Sequence, residues 1–217
     1  MTEQTVMTRL KGETWDLHSK AENREFQKRM VRGLIDRDEY AAWLGQMWLI
    51  HSTLDGFVRA RLGVDPAFAA VDADQLQSGR LHRDLEAVSV DPERIEALPA
   101  TRALQERIVR AAVEDPLRLL GHHYVLEGST NGNGFIARKL REVLRFEGDR
   151  GFDYLDPYGD AQKKRWAGFK AAMTALRWSE DEIDRLVAAA RETFEAIGQL
   201  SLELEGRSPS VSASPAS

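Results

Sequence analysis

From about residue 5 to residue 203, apolar side chains return every three or four positions, and no stretch alternates with a period of two. That period admits helices and leaves no material for a sheet. In residues 6–30 the stripe is Val6, Leu10, Leu17 and Ala21, read as one helix. Asp36 with Glu39 three residues later forms an N-terminal box. Tyr40, Trp43, Leu44, Met47, Ile50, Leu54, Phe57 and Val58 then continue to about Leu62, with Gly63 as the stop. This aromatic helix belongs at the centre of the core. Further helices are expected over 75–88, 100–113, from Pro116 onward, over about 158–177, and over 180–203 behind the Ser179/Glu182 capping box. The expected fold is all-α: one compact helical domain within residues 1–205, followed by a disordered Ser/Pro tail over 206–217.

Composition narrows the function. The 217 residues suit one domain. With no Cys there are no disulfides, thiolate metal sites or Cys nucleophiles. A mean hydropathy of −0.44, the lack of a long apolar run and the lack of an apolar leader predict a soluble, cytoplasmic protein without a membrane partner. A net charge of −5 with interleaved signs argues against nucleic acid. Redox or metal chemistry then rests on the five His residues.

Gly128, Gly132 and Gly134 fall within the run Glu127-Gly-Ser-Thr-Asn-Gly-Asn-Gly134. Each helix-interior Gly costs roughly 0.8–1 kcal/mol relative to Ala. The run is either a bent helix whose backbone approaches a flat ligand closely, or a turn between two helices. It lacks the Gly-Lys-Ser/Thr ending of a phosphate loop, and Gly128-Ser129 is no nucleophile elbow.

His18 has Thr14 and Glu22 one turn to either side. A neutral ring there can ligate a metal through one nitrogen while the other donates to Glu22, or it is a plain helix histidine. His51 reads as a core or pocket-lining group, His123 as a group lining the same pocket as Gly128, and His82 as a surface residue. No His-Glu-x-x-His pair occurs, which sets a zinc hydrolase aside.

Two segments together resemble the haem oxygenase family. Leu10-Lys-Gly-Glu-Thr-Trp-Asp-Leu-His18-Ser-Lys-Ala-Glu-Asn23 resembles the family's proximal-helix motif, and Tyr124-Val-Leu-Glu-Gly-Ser-Thr-Asn-Gly-Asn-Gly134 its distal glycine motif in the bacterial form. The resemblance implies a compact helical bundle that holds haem between the first helix and a kinked, glycine-rich distal helix. It implies His18 as the axial iron ligand with Glu22 behind it, and Gly128 and Gly132 as the glycines passing over the haem face. It further implies Lys11 and Lys170 near the propionates. One departure stands out: Ser129 occupies the position where many members carry an Asp that orders the waters delivering protons for oxygen activation. Ser holds a water but supplies no carboxylate charge.

The function so implied is oxidative cleavage of haem to biliverdin, carbon monoxide and ferrous iron. Haem is both cofactor and substrate, dioxygen the oxidant, and Gly128, Ser129 and Gly132 the distal catalytic group. With no flavin or nicotinamide fingerprint, electrons are expected from an external ferredoxin or reductase. The basic runs Arg138-Lys139-Leu-Arg141 and Lys163-Lys164-Arg165 are either its dock or solvated helix faces. A monomer is expected. The alternatives are a haem-binding carrier or sensor without turnover, which Ser129 favours, and a non-haem di-iron relative built on His18 and Glu22.

Overall fold

A computed structural model describes residues 5–147 and 150–207. The expected tail lies outside the described residues from position 208 onward. The chain forms eight α-helices among the described residues: α1 (Val6–Glu22), α2 (Glu25–Arg32), α3 (Arg37–Arg59), α4 (Ser78–Ala87), α5 (Pro99–Glu114), α6 (Arg118–Leu144), α7 (Gln162–Ala175) and α8 (Glu180–Glu205). Short 3-10 turns join some of them, and no strand occurs among the described residues. The fold is thus all-α and a single compact domain. No helix among the described residues is long and apolar enough to cross a membrane.

The first helix is shorter than its stripe suggests. Asn23 closes α1 by donating its side-chain amide to Ser19 O at 2.8 Å, and Arg24 is extended. α2 then restarts because the Phe26 N–H finds the Glu205 carboxylate of α8 at 2.9 Å. A helix start can be capped by a carboxylate from anywhere in the fold, so local sequence carries no trace of this break.

The Asp36/Glu39 capping box forms as expected and opens α3. Tyr40, Leu44, Ile50, Leu54 and Val58 on α3 are all buried, with Trp43 and Met47 nearly so. α3 packs against α4, α5 and α6, while α8 is the long spine on which α1, α5 and α6 lie. α1 is tied to α8 by charge: Arg9 reaches Glu180 and Asp184 at 2.8 and 2.6 Å, and Arg191 holds the Glu13 carbonyl and Asp16.

α6 is one continuous helix through all three glycines, so the turn between two helices does not occur. Three successive side chains bond back to carbonyls three residues earlier: Ser129 to Leu126 O, Thr130 to Glu127 O and Asn131 to Gly128 O, at 2.7, 2.7 and 2.9 Å. Such back-bonds compete with the backbone ladder and favour bending. They replace carbonyl partners where the glycines weaken the helix.

The connection after α6 is anchored through Asp84 of α4. Its two carboxylate oxygens accept the backbone N–H groups of Asp153 and Tyr154 at 2.9 and 2.8 Å. Tyr40 donates to Gly151 O at 2.7 Å. These bonds place Tyr154 fully inside the core, against α3.

Candidate haem-binding cleft

Lys11, Trp15 and His18 are four and three residues apart on α1 and therefore share a face. Part of that face and Lys170 of α7 border an open cleft of about 420 Å³ lined by Met7, Thr8, Lys11, Gly12, Trp15 and Lys170; His18 lies outside this lining. Two lysines distant in sequence stand on the wall of one cleft, which suits an anionic edge on a bound group. Trp15 is 57% exposed, a large apolar area left to water on the wall of a concavity.

His18 lies one turn beyond Trp15 and is half-buried. Its ring stacks on the Trp15 indole, with centroids 5.4 Å apart and planes 11° apart, and meets Phe194 of α8 edge-on at 5.3 Å. Nδ1 lies 3.4 Å from Glu22 Oε2 and has no well-formed hydrogen bond. An Nδ1–H directed at Glu22 leaves Nε2 as the free lone pair.

Across α7 is the glycine segment. A Cβ added to Gly128 would stand 3.3 Å from the Trp166 ring of α7, so a flat aromatic already rests on this backbone. Trp166 stacks on Phe169 at 5.5 Å and tilts against Tyr124 at 5.8 Å. Trp166 and Lys170 are one helical turn apart, so α7 links the glycine backbone to the lysine cleft. Gly132 has open space where a Cβ would be, and Gly134 faces Asp156. Ser129 is exposed on α6.

The α1 side offers an imidazole without a firm partner and two lysines at one cleft, chemistry that suits a metal-centred group with an anionic edge, whereas the Gly128 backbone is covered by Trp166. His123 stands apart from the lysine cleft: it is fully buried, edge-on to Phe169 at 5.7 Å, and burial depresses its pKa to about 4. His82 is half-exposed beside Glu86. In the basic runs, Lys139, Arg141 and Arg165 are paired with Glu142, Asp156 and the Asp72/Asp74 pair.

In a second group of polar side chains, sequence reasoning named His51 and His123 but missed Asp55 and Glu127. His51 and Asp55 on α3, and His123 and Glu127 on α6, are all at most 2% exposed. His51 Nδ1, Asp55 Oδ1, His123 Nε2 and Glu127 Oε1 each have no well-formed hydrogen bond. The i, i+4 spacing of both pairs was the available signal. Among the described residues, no group of three or more His, Asp and Glu is arranged to hold a metal ion.

Glu127 accepts the Tyr158 hydroxyl at 3.0 Å, and burial pushes its carboxyl up to about 7 against the help of Tyr158 and nearby Gln75. A folded carboxyl that binds its proton more tightly than the unfolded one gives stability that is full below its ordinary value of 4.5 and is lost as pH rises through about 7. Glu127→Gln should therefore stabilise the protein at pH 8 by about 1–3 kcal/mol and leave it unchanged at pH 4. Urea unfolding at the two pH values reads this out, and equal effects at both would contradict it. Asp84, raised to about 6 chiefly by burial, adds a slope of the same sign.

The described residues form an all-helical protein with a cleft walled by Lys11, Trp15 and Lys170, and His18 one turn beyond Trp15 on α1. The heme oxygenase family matches residues 4–203, and the chain belongs to that family. A heme oxygenase of Guillardia theta is 25% identical over 196 residues, covering 87% of this chain and 81% of that protein. Among solved structures, heme oxygenase-1 from Synechocystis sp. in complex with heme superposes with a TM-score of 0.84 at 21% identity, over 93% of both chains. Heme oxygenase-2 from the same organism, in complex with heme and NO, gives 0.86 at 19% identity, over 93% of this chain and 86% of that one.

Proposed function

We propose that this protein cleaves haem oxidatively to biliverdin, carbon monoxide and ferrous iron, using dioxygen and electrons from an external ferredoxin or reductase, as a cytoplasmic monomer. The observation that carries the reading is that His18, whose Nδ1 has no firm partner, shares one face of α1 with Lys11, and Lys11 lines one cleft with Lys170 of α7. Haem, when bound, supplies an iron that activates dioxygen and the macrocycle that is opened.

The chain's own groups do the rest. His18 would hold the iron through Nε2, with Glu22 3.4 Å from Nδ1 favouring that tautomer. Lys11 and Lys170 pair with the propionates and set the rotation of the ring. Gly128 and Gly132, which carry no Cβ, would let the α6 backbone lie close to the bound group. Ser129 holds a distal water; its hydroxyl already donates to Leu126 O, which leaves the oxygen free to accept.

Titration of the purified protein with hemin tests this. The expected result is a Soret band saturating at about one haem per chain, which decays to a bilin spectrum under reductant and oxygen. Failure to bind hemin overturns the reading. Stable binding without bilin supports instead a carrier or sensor, the reading that the missing distal carboxylate at Ser129 favours.

A further inference from the structure

Gly128 and Gly132 are one turn apart on α6 and therefore share a face, yet their surroundings differ. A Cβ built on Gly132 meets nothing within 4 Å, whereas one built on Gly128 stands 3.3, 3.8 and 3.9 Å from Cη2, Cζ2 and Cζ3 of Trp166. The six-membered ring of that indole therefore lies on the Gly128 backbone. Aromatic rings hold the indole on both flanks: it stacks on Phe169 with centroids 5.5 Å apart and planes 20° apart, and tilts against Tyr124 at 5.8 Å. Phe169 and Met173, on the same face of α7, are buried. The first turn of α7 is tied down as well, since Gln162 donates to the Thr130 hydroxyl of α6 at 2.7 Å and Arg165 pairs with Asp72 and Asp74. Lys170, one turn beyond Trp166, lines the cleft with Lys11. α7 thus bridges α6 to α1, with a fixed aromatic at the α6 end and a lysine at the α1 end.

We propose that Trp166 is a specificity-determining residue: a rigid side wall that covers Gly128, leaves Gly132 as the open part of the glycine face, and thereby fixes how a flat ring is turned in its own plane. The inference rests on the proposed haem-cleaving function. Two lysines hold an anionic edge, but their flexible stems leave a ring free to pivot about that edge. An indole wedged between two aromatic rings does not yield in this way, because moving it breaks both contacts. A ring that pivots toward Gly128 meets Trp166 first. The turn of the ring decides which of its bridging carbons is presented to the distal helix, and so which bilin isomer forms. Trp166 takes no part in bond making. It acts through the seating of the ring, and a smaller side chain at this position opens Gly128 to it.

The test uses the full chain, first confirmed to bind hemin and to form bilin, so that failure of the proposed function shows before Trp166 is addressed. Wild type should give one main bilin isomer on chromatography of the turnover mixture. Trp166→Ala should still form bilin and raise the minor isomers about fivefold relative to the main one, the size of a lost aromatic contact. A second readout needs no turnover. Proton NMR of the haem methyl groups in the ferric hemin complex should show one main set of resonances for wild type and a second set for Trp166→Ala. Trp166→Phe keeps an aromatic ring against Gly128 and should retain the wild-type pattern in both measurements. The proposal is overturned if wild type already gives a mixture, or if Trp166→Ala leaves either the isomer ratio or the methyl pattern unchanged. A Trp166→Ala variant that only binds hemin faster counts among these failures, since Trp166 would then be a gate and not a wall. Scrambling by Trp166→Phe to the same extent as Trp166→Ala overturns it equally. Should Trp166→Ala not fold, Trp166→Leu decides by the same criteria.

Discussion

On the proposed function, replacing His18 by Ala is expected to abolish bilin formation while leaving the fold intact. The ring is more than a third exposed, makes only stacking contacts to Trp15 and Phe194, and satisfies no buried partner, so truncation disturbs little of the core. Loss of stability is held to about 1 kcal/mol, as for other partly exposed sites. The functional loss should be far larger, because no other imidazole is near this face: His51, His122 and His123 are buried in the core and His82 is on α4. Hemin still binds, more weakly, through Lys11 and Lys170 and the apolar walls, but its spectrum loses the imidazole-ligated form. Turnover under reductant falls to the background of free hemin. Imidazole added to the variant restores part of the spectrum and of the turnover, which separates a missing ligand from a damaged fold. An Ala variant with unchanged spectrum and turnover would remove His18 from the site.

The second large effect is structural. Gly121→Ala destabilises the protein by about 3 kcal/mol or more, at the upper end of overpacking costs. At Gly121 α6 lies tight against α8: an added Cβ runs into the Leu186 carbonyl and stands 2.8 Å from the Ala189 methyl. Neither neighbour is the flexible end of a side chain, so the two longest core helices must part. For a chain of this size, that loss lowers the melting temperature by roughly 6–12 °C. Gly168→Ala on exposed α7 is the control, since nothing stands within 4 Å of its added methyl and Ala is the better helix former. It raises the melting temperature slightly. Equal melting of Gly121→Ala and wild type would show that α6 and α8 shift at no cost.

Much of the helical order was legible. The Asp36 and Ser179 capping boxes form where the spacing put them, and the aromatic stripe of α3 is the buried centre. Capping and periodicity are local, so they survive in any window of sequence. Three features were not legible. The break between α1 and α2 depends on Glu205, 179 residues beyond Phe26. The glycine segment was equally consistent with a turn, and the helix runs through it because neighbouring elements hold it and Ser129, Thr130 and Asn131 satisfy its carbonyls. Asp55 and Glu127 look in sequence like ordinary helix carboxylates; only packing turns their faces inward toward His51 and Tyr154.

What the sequence determined by itself is the helical character, the core stripes, and the presence of a proximal histidine motif and a glycine motif in one chain. These are properties of residue order, since side chains three and four apart share a helix face whatever surrounds them. The tertiary structure decided which of those faces meet. It brought Lys170 to Lys11, set Trp166 on the Gly128 backbone, and put His51 against the Tyr154 hydroxyl in the core. Contacts of that kind follow from helix crossings, which depend on volumes and close approaches such as Gly121 against Leu186 and on no single segment's pattern.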